Sequence, residues 1–365
     1  ARAAAPARRA AAKLALGGCS SSGSSSKGAL SMGRTRRAST KAAAVEFSFS
    51  GGSSASGVAL ADRPAWMKPF TIFASQVKAQ RWREYWDREW NSRDITYAAF
   101  IGGMHLLCLA APFTFSWANL AFGVAMYVVT GMLGITLSYH RQLSHKSFTT
   151  PKWLEYALAY CGVLSMQGPP IEWVSAHRYH HQFCDTPKDP HTPHEGFWHS
   201  HAGWLLDNDV NDERCGMRGN CQDMTRQPFY QWLERTYIWH PMLFGALTFA
   251  IGGFGALVWG VALRTVWVWH ITWAVNSISH VWGKQAWNTG DESRNNLLIG
   301  ILAFGEGWHN NHHAFEYSAR HGLEWQQFDM TWISICFLKF LGLADNIRLP
   351  SEAAMNKLRL PPATA

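Results

Sequence analysis

Histidines recur in three short clusters of this 365-residue chain, which contains 17 histidines in all. Two clusters repeat the pattern His-x-x-His-His, and the third is a pair five residues apart. On a helix, residues three and four positions ahead lie near the face of the first residue, so each triplet is predicted to direct three imidazoles toward one place. The pair is predicted to straddle a helix end. The clusters are His140 and His145; His177, His180 and His181; and His309, His312 and His313.

Clustered imidazoles indicate a metal site. Imidazole binds iron, zinc, copper and nickel, so the ligand type leaves the metal open. Eight histidines exceed the four ligands that close a structural zinc site, which predicts two ions with open positions. Soluble carboxylate-bridged di-iron proteins need two Glu-x-x-His motifs, and only Glu306 to His309 fits. The zinc-protease motif HExxH is absent, since His194-Glu195 is followed by His199 one position too late.

Long apolar stretches must position these clusters. The chain is 47% hydrophobic and only 16% charged, and its 20 tryptophans indicate membrane contact. A helix needs about 20 apolar residues to cross a bilayer, and four stretches qualify. Pro112 is predicted to end the helix between the first and second stretches, and Arg264 is predicted to separate the third stretch from the fourth. We therefore expect an all-α integral membrane protein with four transmembrane helices in two hairpins, at about residues 96–113, 117–138, 241–263 and 266–281.

Both predicted hairpins return the chain to the side from which it entered. The polar blocks at residues 140–240 and 282–365 and both termini are then on one face, where they form a His-rich di-metal domain. A metal transporter would carry its ionisable groups inside the spans, whereas these clusters lie at span ends and in polar blocks. A membrane protein that transports or merely binds metal is therefore a weaker alternative than an enzyme.

The basic charge of the chain belongs to its N-terminal segment. Nine of the 33 basic residues precede the first acid, Glu46, so the other 24 nearly balance the 25 acidic residues. The body therefore needs no nucleic acid partner. The Ala-, Ser-, Gly- and Arg-rich segment lacks the apolar core of a secretory signal and fits an organelle transit peptide. We expect a leader at 1–65, an interfacial amphipathic segment at 66–95 with Trp82, Trp86 and Trp90, and the membrane-bound domain at 96–365.

Around the clusters the sequence resembles the membrane-bound fatty acid desaturases. It is most similar to the delta-9-type acyl-CoA and acyl-lipid branch of plants, algae and cyanobacteria, which includes plastid palmitoyl-galactolipid delta-7 desaturases. The resemblance covers about residues 82–358 and excludes the leader. Beyond the clusters, it includes Asp189-Pro190-His191, Glu195-Gly196-Phe197-Trp198, Asn276 to His280, Trp287-Asn288-Thr289 and Phe304 to Arg320.

The resemblance implies a centre of two iron ions held by nine histidines, with O₂ as co-substrate. It also implies that Asn276 is an outer ligand acting through a water, and that Asp189 and His191 brace the second cluster from outside. We expect seven histidines to be polar residues without a metal role: His105, His194, His199, His201, His240, His270 and His321. The nine implied ligands are His140, His145, His177, His180, His181, His280, His309, His312 and His313.

The implied reaction is the oxygen-dependent removal of two hydrogens from an unactivated acyl chain, which leaves a cis double bond. Two electrons must come from a donor protein; ferredoxin is expected and cytochrome b5 is the alternative. The expected substrate is a saturated C16 or C18 chain on a membrane lipid. The leading candidate is palmitate on plastid monogalactosyldiacylglycerol, with the double bond at the delta-7 position. The alternatives are a delta-9 acyl-CoA desaturase of the endoplasmic reticulum and a hydroxylase on the same scaffold. Residues 117–138 are expected to line the acyl pocket.

Overall fold

A computed structural model describes residues 87–361. The predicted leader and most of the predicted interfacial segment, with Trp82 and Trp86, lie outside the described residues. Within them the regular elements are all helical, apart from isolated β-bridges, as the all-α prediction requires. The helices are α1 Ser92–Cys108, α2 Trp117–Ser144, α3 Lys152–Val163, α4 Pro170–Phe183, α5 Phe197–His201, α6 Asn208–Arg214, α7 Gln222–Thr225, α8 Pro228–Thr236, α9 Trp239–Leu257, α10 Arg264–Ser277, α11 Leu297–Leu302, α12 His309–Ala314, α13 Met330–Phe340 and α14 Glu352–Leu358.

Two helical stretches are long and apolar enough to cross a membrane: Trp117–Ser144, with 28 residues, and Trp239–His280, with 42. The 17-residue helix α1 precedes the first of them and begins at a capping box formed by Asn91 and Asp94. Pro112 opens a single 3₁₀ turn between α1 and α2, at the predicted break. The first predicted hairpin therefore has its turn where the sequence indicates.

The second long stretch reverses direction at Gly253, so the predicted separation at Arg264 is wrong. Gly253 has φ 71° and ψ −169°, a conformation that a residue without Cβ adopts readily. The Arg264 guanidinium carbon lies 5.9 Å from the centre of the Phe244 ring. Twenty residues of continuous helix would place these residues about 30 Å apart. The chain therefore folds back, with residues 239–252 in one arm and 254–280 in the other.

Arg264 does not end a helix. It connects the two arms to the helices α2 and α3. Its side chain is buried, with 2% of its surface exposed. The guanidinium donates hydrogen bonds to the carbonyl of Leu164 at 2.8 Å and to the Thr130 hydroxyl at 3.3 Å. Buried charge near apolar spans is stable only when such partners satisfy it. Arg264 thereby ties the end of α3 to α2 and α10.

The polar block at residues 140–240 packs against the end of α2 that carries the first histidine pair. Gly134 and Gly162 allow close contact between α2 and α3, because a Cβ on Gly134 would lie 2.5 Å from the Gly162 amide nitrogen. In addition, a core of buried side chains joins α2, α3, α4, α7 and α8. The core holds Ile135, Tyr139, Leu143, Ala159, Val163, Ile171, Val174, Cys221, Met224, Tyr230 and Leu233. Both His140 and the start of α4 are fixed by this packing.

A candidate dinuclear metal centre

The first histidine pair lies at the end of α2, where the helix is wound as a π-helix from Val128 to Ser144. In this winding each amide bonds to the carbonyl five residues earlier. The His145 amide donates to the His140 carbonyl at 3.2 Å, and the two ring centres are 4.9 Å apart. On an α-helix, positions five apart would point away from each other. The π-helical end therefore brings this pair together.

Five histidines from three helices form the first nitrogen group. Each offers a ring nitrogen within 4.8 Å of the others. The His312 Nε2 atom lies 3.1 Å from that of His140 and 2.9 Å from that of His181. The Nε2 atoms of His145 and His177 are 2.8 Å apart. The group consists of His140, His145, His177, His181 and His312.

The remaining predicted ligands form a second group. His180, His280 and His313 converge with Cys184, again within 4.8 Å. His309 joins them because its Nε2 atom lies 3.0 Å from that of His280. The structure thus brings all nine predicted histidines into two neighbouring groups.

The two His-x-x-His-His triplets divide between these groups, so the prediction that each triplet points at one place is wrong. His177 and His181 belong to the first group and His180 to the second. In α12 the assignment is reversed, with His312 in the first group and His313 in the second. Around the helix axis, the side chains three and four positions ahead of the first histidine are rotated away from it in opposite directions. These two side chains are therefore about 100° apart. Each helix therefore contributes to both groups.

The spacing of the nitrogens fits metal ligation. Two imidazoles bound to one ion at about 2.1 Å hold their nitrogens about 3.0–3.4 Å apart, depending on the coordination geometry. The Nε2 pairs of both groups lie 2.8–3.1 Å apart. Without an ion, several buried ring nitrogens have no partner among the described residues, including His309 Nδ1 and His313 Nε2. The donor set therefore suits two ions of the type that imidazole prefers.

Carboxylates contact the Nδ1 atoms of many of these rings, so that Nε2 is the nitrogen directed at the candidate metal centre. A carboxylate near Nδ1 fixes the proton there and leaves the Nε2 lone pair for a metal. Sequence reasoning found only Asp189 among them, because the others come from distant parts of the chain. The Nδ1 pairs are His140 with Glu306 at 2.6 Å, His180 with Asp189 at 3.0 Å, His280 with Asp185 at 3.2 Å, His313 with Asp291 at 2.9 Å and His181 with Glu316 at 3.4 Å.

The electrostatics favour neutral imidazoles at three ligands of the first group and an ionised carboxylate at Asp185. Burial lowers the pKa of His177, His181 and His312 well below the usual value, and neighbouring imidazoles lower it further. Burial opposes ionisation of Asp185, but attraction to His280 and hydrogen bonds hold its pKa at about 2. At His280 burial opposes the charged form, but attraction to Asp185 favours it. Neutral imidazole is the form that binds a metal ion.

The other predicted site residues lie around the two groups. The ring of His191 packs 4.3 Å from that of His180, measured between ring centres. Asn276 lines both cavities described below and belongs to neither nitrogen group. His321, expected to have no metal role, is buried beside the first group. It stacks on His312 at 4.4 Å, and its Nδ1 lies 3.0 Å from Glu306.

Three other histidines expected to lack a metal role form a hydrogen-bonded line instead. His105 in α1 contacts His270 in α10, with their Nε2 atoms 2.9 Å apart. The Nδ1 atom of His270 lies 3.0 Å from His201 Nε2, and His201 reaches Ser277 at 2.9 Å. The line links α1, α5 and α10. Elsewhere His194 is exposed, His199 contacts Glu195 and His240 contacts Thr236.

Two cavities meet beside the histidine groups. The first, of about 530 Å³, is apolar and runs between α2 and α10 from Tyr127 to His140 and His309. The second, of about 850 Å³, extends toward α6. They share a wall made of Trp173, His177, Thr272 and Asn276. Gln167 fixes that wall, because it bonds to Thr272 at 3.0 Å and to the Trp173 indole at 3.3 Å. The two cavities therefore lie against the same four residues, and His177 of the first nitrogen group is one of them.

Comparison with known proteins identifies relatives over most of this region. The family model described as fatty acid desaturase matches residues 115–333. The chloroplastic palmitoyl-monogalactosyldiacylglycerol delta-7 desaturase of Arabidopsis thaliana is 56% identical over 77% of this chain and 76% of its own. An acyl-CoA 5-desaturase of Anemone leveillei is 53% identical over 77% and 88%. Delta-9 acyl-lipid desaturase 1 of Arabidopsis thaliana is 49% identical over 76% and 91%.

Proposed function

Since this chain belongs to the fatty acid desaturase family and is an acyl desaturase, we propose that it introduces a cis double bond at the delta-7 position of palmitate on plastid monogalactosyldiacylglycerol. The family membership predicted from the histidine clusters is confirmed. The carrier and position rest on the relative that is named for this reaction and is 56% identical. The observation that carries the assignment is the pair of histidine groups beside two cavities, whose linings include His140, His177 and His309.

We propose that the two histidine groups hold two iron ions and that O₂ is the co-substrate. When bound, the irons would activate O₂, which is the oxidant, so that hydrogen can be removed from an unactivated carbon. The nine histidines are the proposed ligands, and Asn276 is proposed to act through a water. Asp189 and His191 are proposed to support His180 from outside, in keeping with their contacts to it. Glu306 and Asp291 add the same support to His140 and His313.

The protein's own contribution is to place two adjacent carbons of the acyl chain beside the irons. The apolar lining of the first cavity excludes water from the methyl end of the chain. The contacts of Gln167 with Thr272 and Trp173 fix the lining that the two cavities share, and we propose that this lining determines the carbons that pass the histidine groups. Tyr127 and Phe304 line the far end of the first cavity, with ring centres 4.6 Å apart.

We propose that the chain crosses the membrane four times. The proposed spans are α1, α2 and the two arms on either side of Gly253. With an even number of crossings between them, the histidines from His140 to His181 and those from His280 to His313 share one face. We propose a plastid membrane as the location, which the name of the chloroplastic relative supports, and residues 1–65 as the leader. Residues 66–95 are proposed as the interfacial segment and 96–365 as the membrane-bound domain.

Lipid analysis after expression tests this function. In a host that contains palmitoyl-galactolipid, we expect hexadecenoate with a delta-7 double bond in the galactolipid fraction. The measurement is separation of lipid classes followed by location of the double bond by mass spectrometry. Delta-9 products confined to acyl-CoA or phospholipid would contradict the proposed carrier and position. A hydroxylated product would instead favour a hydroxylase.

A polar cleft of about 630 Å³ offers a place for the electron donor. The side chains of His145 and His181, from the first histidine group, lie at this cleft. Arg178 and Arg348 line it, and Glu316 is the acidic residue of the lining.

Arg178 is paired with Asp223 at 2.8 Å. Arg348, in contrast, lies over the Tyr317 ring and has no ion pair among the described residues. Arg348 is therefore the charge that favours a negatively charged partner. Because the cleft leads to a histidine group, we propose that an acidic one-electron carrier docks here, with ferredoxin as the donor and cytochrome b5 as the alternative.

Reversing one charge at this cleft is expected to weaken use of the donor. Replacing Arg348 with Glu should raise the KM for reduced ferredoxin about threefold to tenfold at low ionic strength, because rim charges steer association. Arg348→Lys should restore the wild-type KM. Lys284→Glu is the matched control, because Lys284 is exposed and lies outside the cleft. An unchanged KM in Arg348→Glu with either carrier would argue against docking here.

A further inference from the structure

The residues at the polar end of the second cavity indicate which kind of carrier group the acyl chain is attached to. Part of the lining of this cavity is apolar and comes from α1 and α10, including Phe100 and Trp269, whose ring centres are 5.6 Å apart. The polar end is the part of the lining where the ring centres of His191 and Trp204 are 5.3 Å apart, and it also includes Glu172 and Asn211. An acyl chain that reaches the histidine groups through this cavity would leave its headgroup beside these polar residues.

The arginines close to this end already have carboxylate partners. Arg218 pairs with Glu172 at 2.8 Å and also contacts Glu234. Arg93 pairs with Asp212 at 2.5 Å. Arg214 likewise pairs with Glu195 at 2.5 Å. A phosphate-bearing carrier would have to compete with these carboxylates for each arginine.

Additional acids lie on the helix that contributes Asn211 to this cavity. Asn211 lines the cavity from α6, and Asp209 and Glu213 are exposed on that helix. A seven-residue helix is about 10 Å long, so these carboxylates lie within about one screening length of Asn211 at physiological ionic strength. Their charge opposes the approach of a polyanion such as coenzyme A, which carries several phosphate charges.

Two buried nitrogens at this end have no hydrogen bond among the described residues: Nε1 of the Trp204 indole and Nδ1 of His191. His191 Nδ1 lies 3.7 Å from the Asp189 carboxylate, beyond hydrogen-bond distance, and the His191 side chain is only 6% exposed. An indole N–H always donates, so a ligand that satisfies Trp204 must offer an acceptor such as a hydroxyl oxygen. Polar groups buried without a partner are costly, which favours a ligand that supplies hydrogen bonds without charge.

We propose that the polar end of the second cavity accepts the uncharged, hydroxyl-bearing headgroup of a glycolipid and discriminates against polyanionic thioester carriers. The inference rests on the proposed function and adds the residues that select the carrier. Trp204 and His191 provide hydrogen bonds to the headgroup. Asp209 and Glu213 repel carriers with several phosphates. Specificity then combines an attractive element and a repulsive one.

The repulsive element is tested by charge reversal with two purified substrates. The probes are palmitoyl-monogalactosyldiacylglycerol in detergent micelles and palmitoyl-CoA in solution. In the double variant Asp209→Lys/Glu213→Lys, the kcat/KM ratio for palmitoyl-CoA relative to galactolipid is expected to rise about tenfold at low salt, and less at high salt. The control Glu324→Lys/Glu352→Lys makes the same charge change at exposed sites outside the cavity and should leave the ratio unchanged.

The attractive element is tested with Trp204→Phe, which retains an aromatic ring but removes the N–H donor. The KM for palmitoyl-galactolipid should rise about fivefold, as for one lost hydrogen bond, while the KM for palmitoyl-CoA stays constant. A ratio unchanged in the double variant, or equal KM changes for both substrates in Trp204→Phe, would overturn the inference. A galactolipid product with its double bond at another carbon would contradict the proposed position alone and leave the carrier inference standing.

Discussion

A chain in which His312 is replaced by alanine is expected to lose desaturation and one of the two metal ions proposed for the histidine groups. The Nε2 atom of His312 contacts those of both His140 and His181, so it joins α12 to α2 and α4 within the first histidine group. Loss of an outer partner of a metal ligand typically costs 10–100-fold in activity or affinity. Loss of a ligand should exceed this, so we expect turnover to fall by more than about 100-fold. Membrane insertion should be unaffected, because no spanning apolar residue changes.

The measurements are iron per chain by elemental analysis and product formed with saturating reduced donor. His180→Ala should remove the metal of the second group in the same way. His194→Ala is the matched control, because its imidazole is exposed and belongs to neither group. Full turnover in His312→Ala would refute its role as a ligand. A wild-type chain that holds one zinc ion and no iron after expression in iron-replete cells would contradict the di-iron proposal.

The second large effect is expected at Arg141, which is fully buried at the end of α2. Its guanidinium donates to Glu306 at 2.9 and 3.0 Å, to Asp329 at 3.0 Å and to the Ala319 carbonyl at 2.8 Å. Replacement by Met leaves two carboxylates buried without their cation. Removing one partner of a buried ion pair typically lowers the free energy of unfolding by about 3–5 kcal/mol.

Arg141→Met should therefore lower the thermal unfolding midpoint in detergent and reduce iron content, because Glu306 also holds Nδ1 of His140. Arg141→Lys should be intermediate, since an ammonium keeps the charge but cannot donate to both carboxylates in the fork geometry of a guanidinium. Arg226→Met, at an exposed arginine, controls for the loss of one positive charge. A wild-type midpoint in Arg141→Met would show that the buried network contributes little to stability.

Local patterns in the sequence were sufficient to predict the histidines that come together and one of the long apolar stretches. The two His-x-x-His-His motifs indicate two metal ions because their residue type and number exceed the needs of one structural zinc site. The run from Trp117 lacks charge and is long enough to span a membrane, and Pro112 marks the turn before it. These features depend on composition and helical period, which the chain carries locally.

Other features depended on residues far apart in the chain. The reversal at Gly253 could not be separated from several other glycines in the same apolar stretch, whereas Arg264 looked like a polar break. Burial of Arg264 requires the carbonyl of Leu164, which lies 100 residues earlier and reaches it only after packing. Likewise, Asp185 and Asp291 become partners of His280 and His313 without any regular spacing that links them.

The sequence alone determined which residues are potential ligands, and only the tertiary structure decided how they divide between two groups. Helical period places His177 and His181 on one side and His180 on another, but it does not say what each side meets. That depends on α12, which presents His312 to the first group and His313 to the second. The physical reason is that angles along one helix are local, whereas the packing of helices more than 120 residues apart follows from the whole core that holds them together.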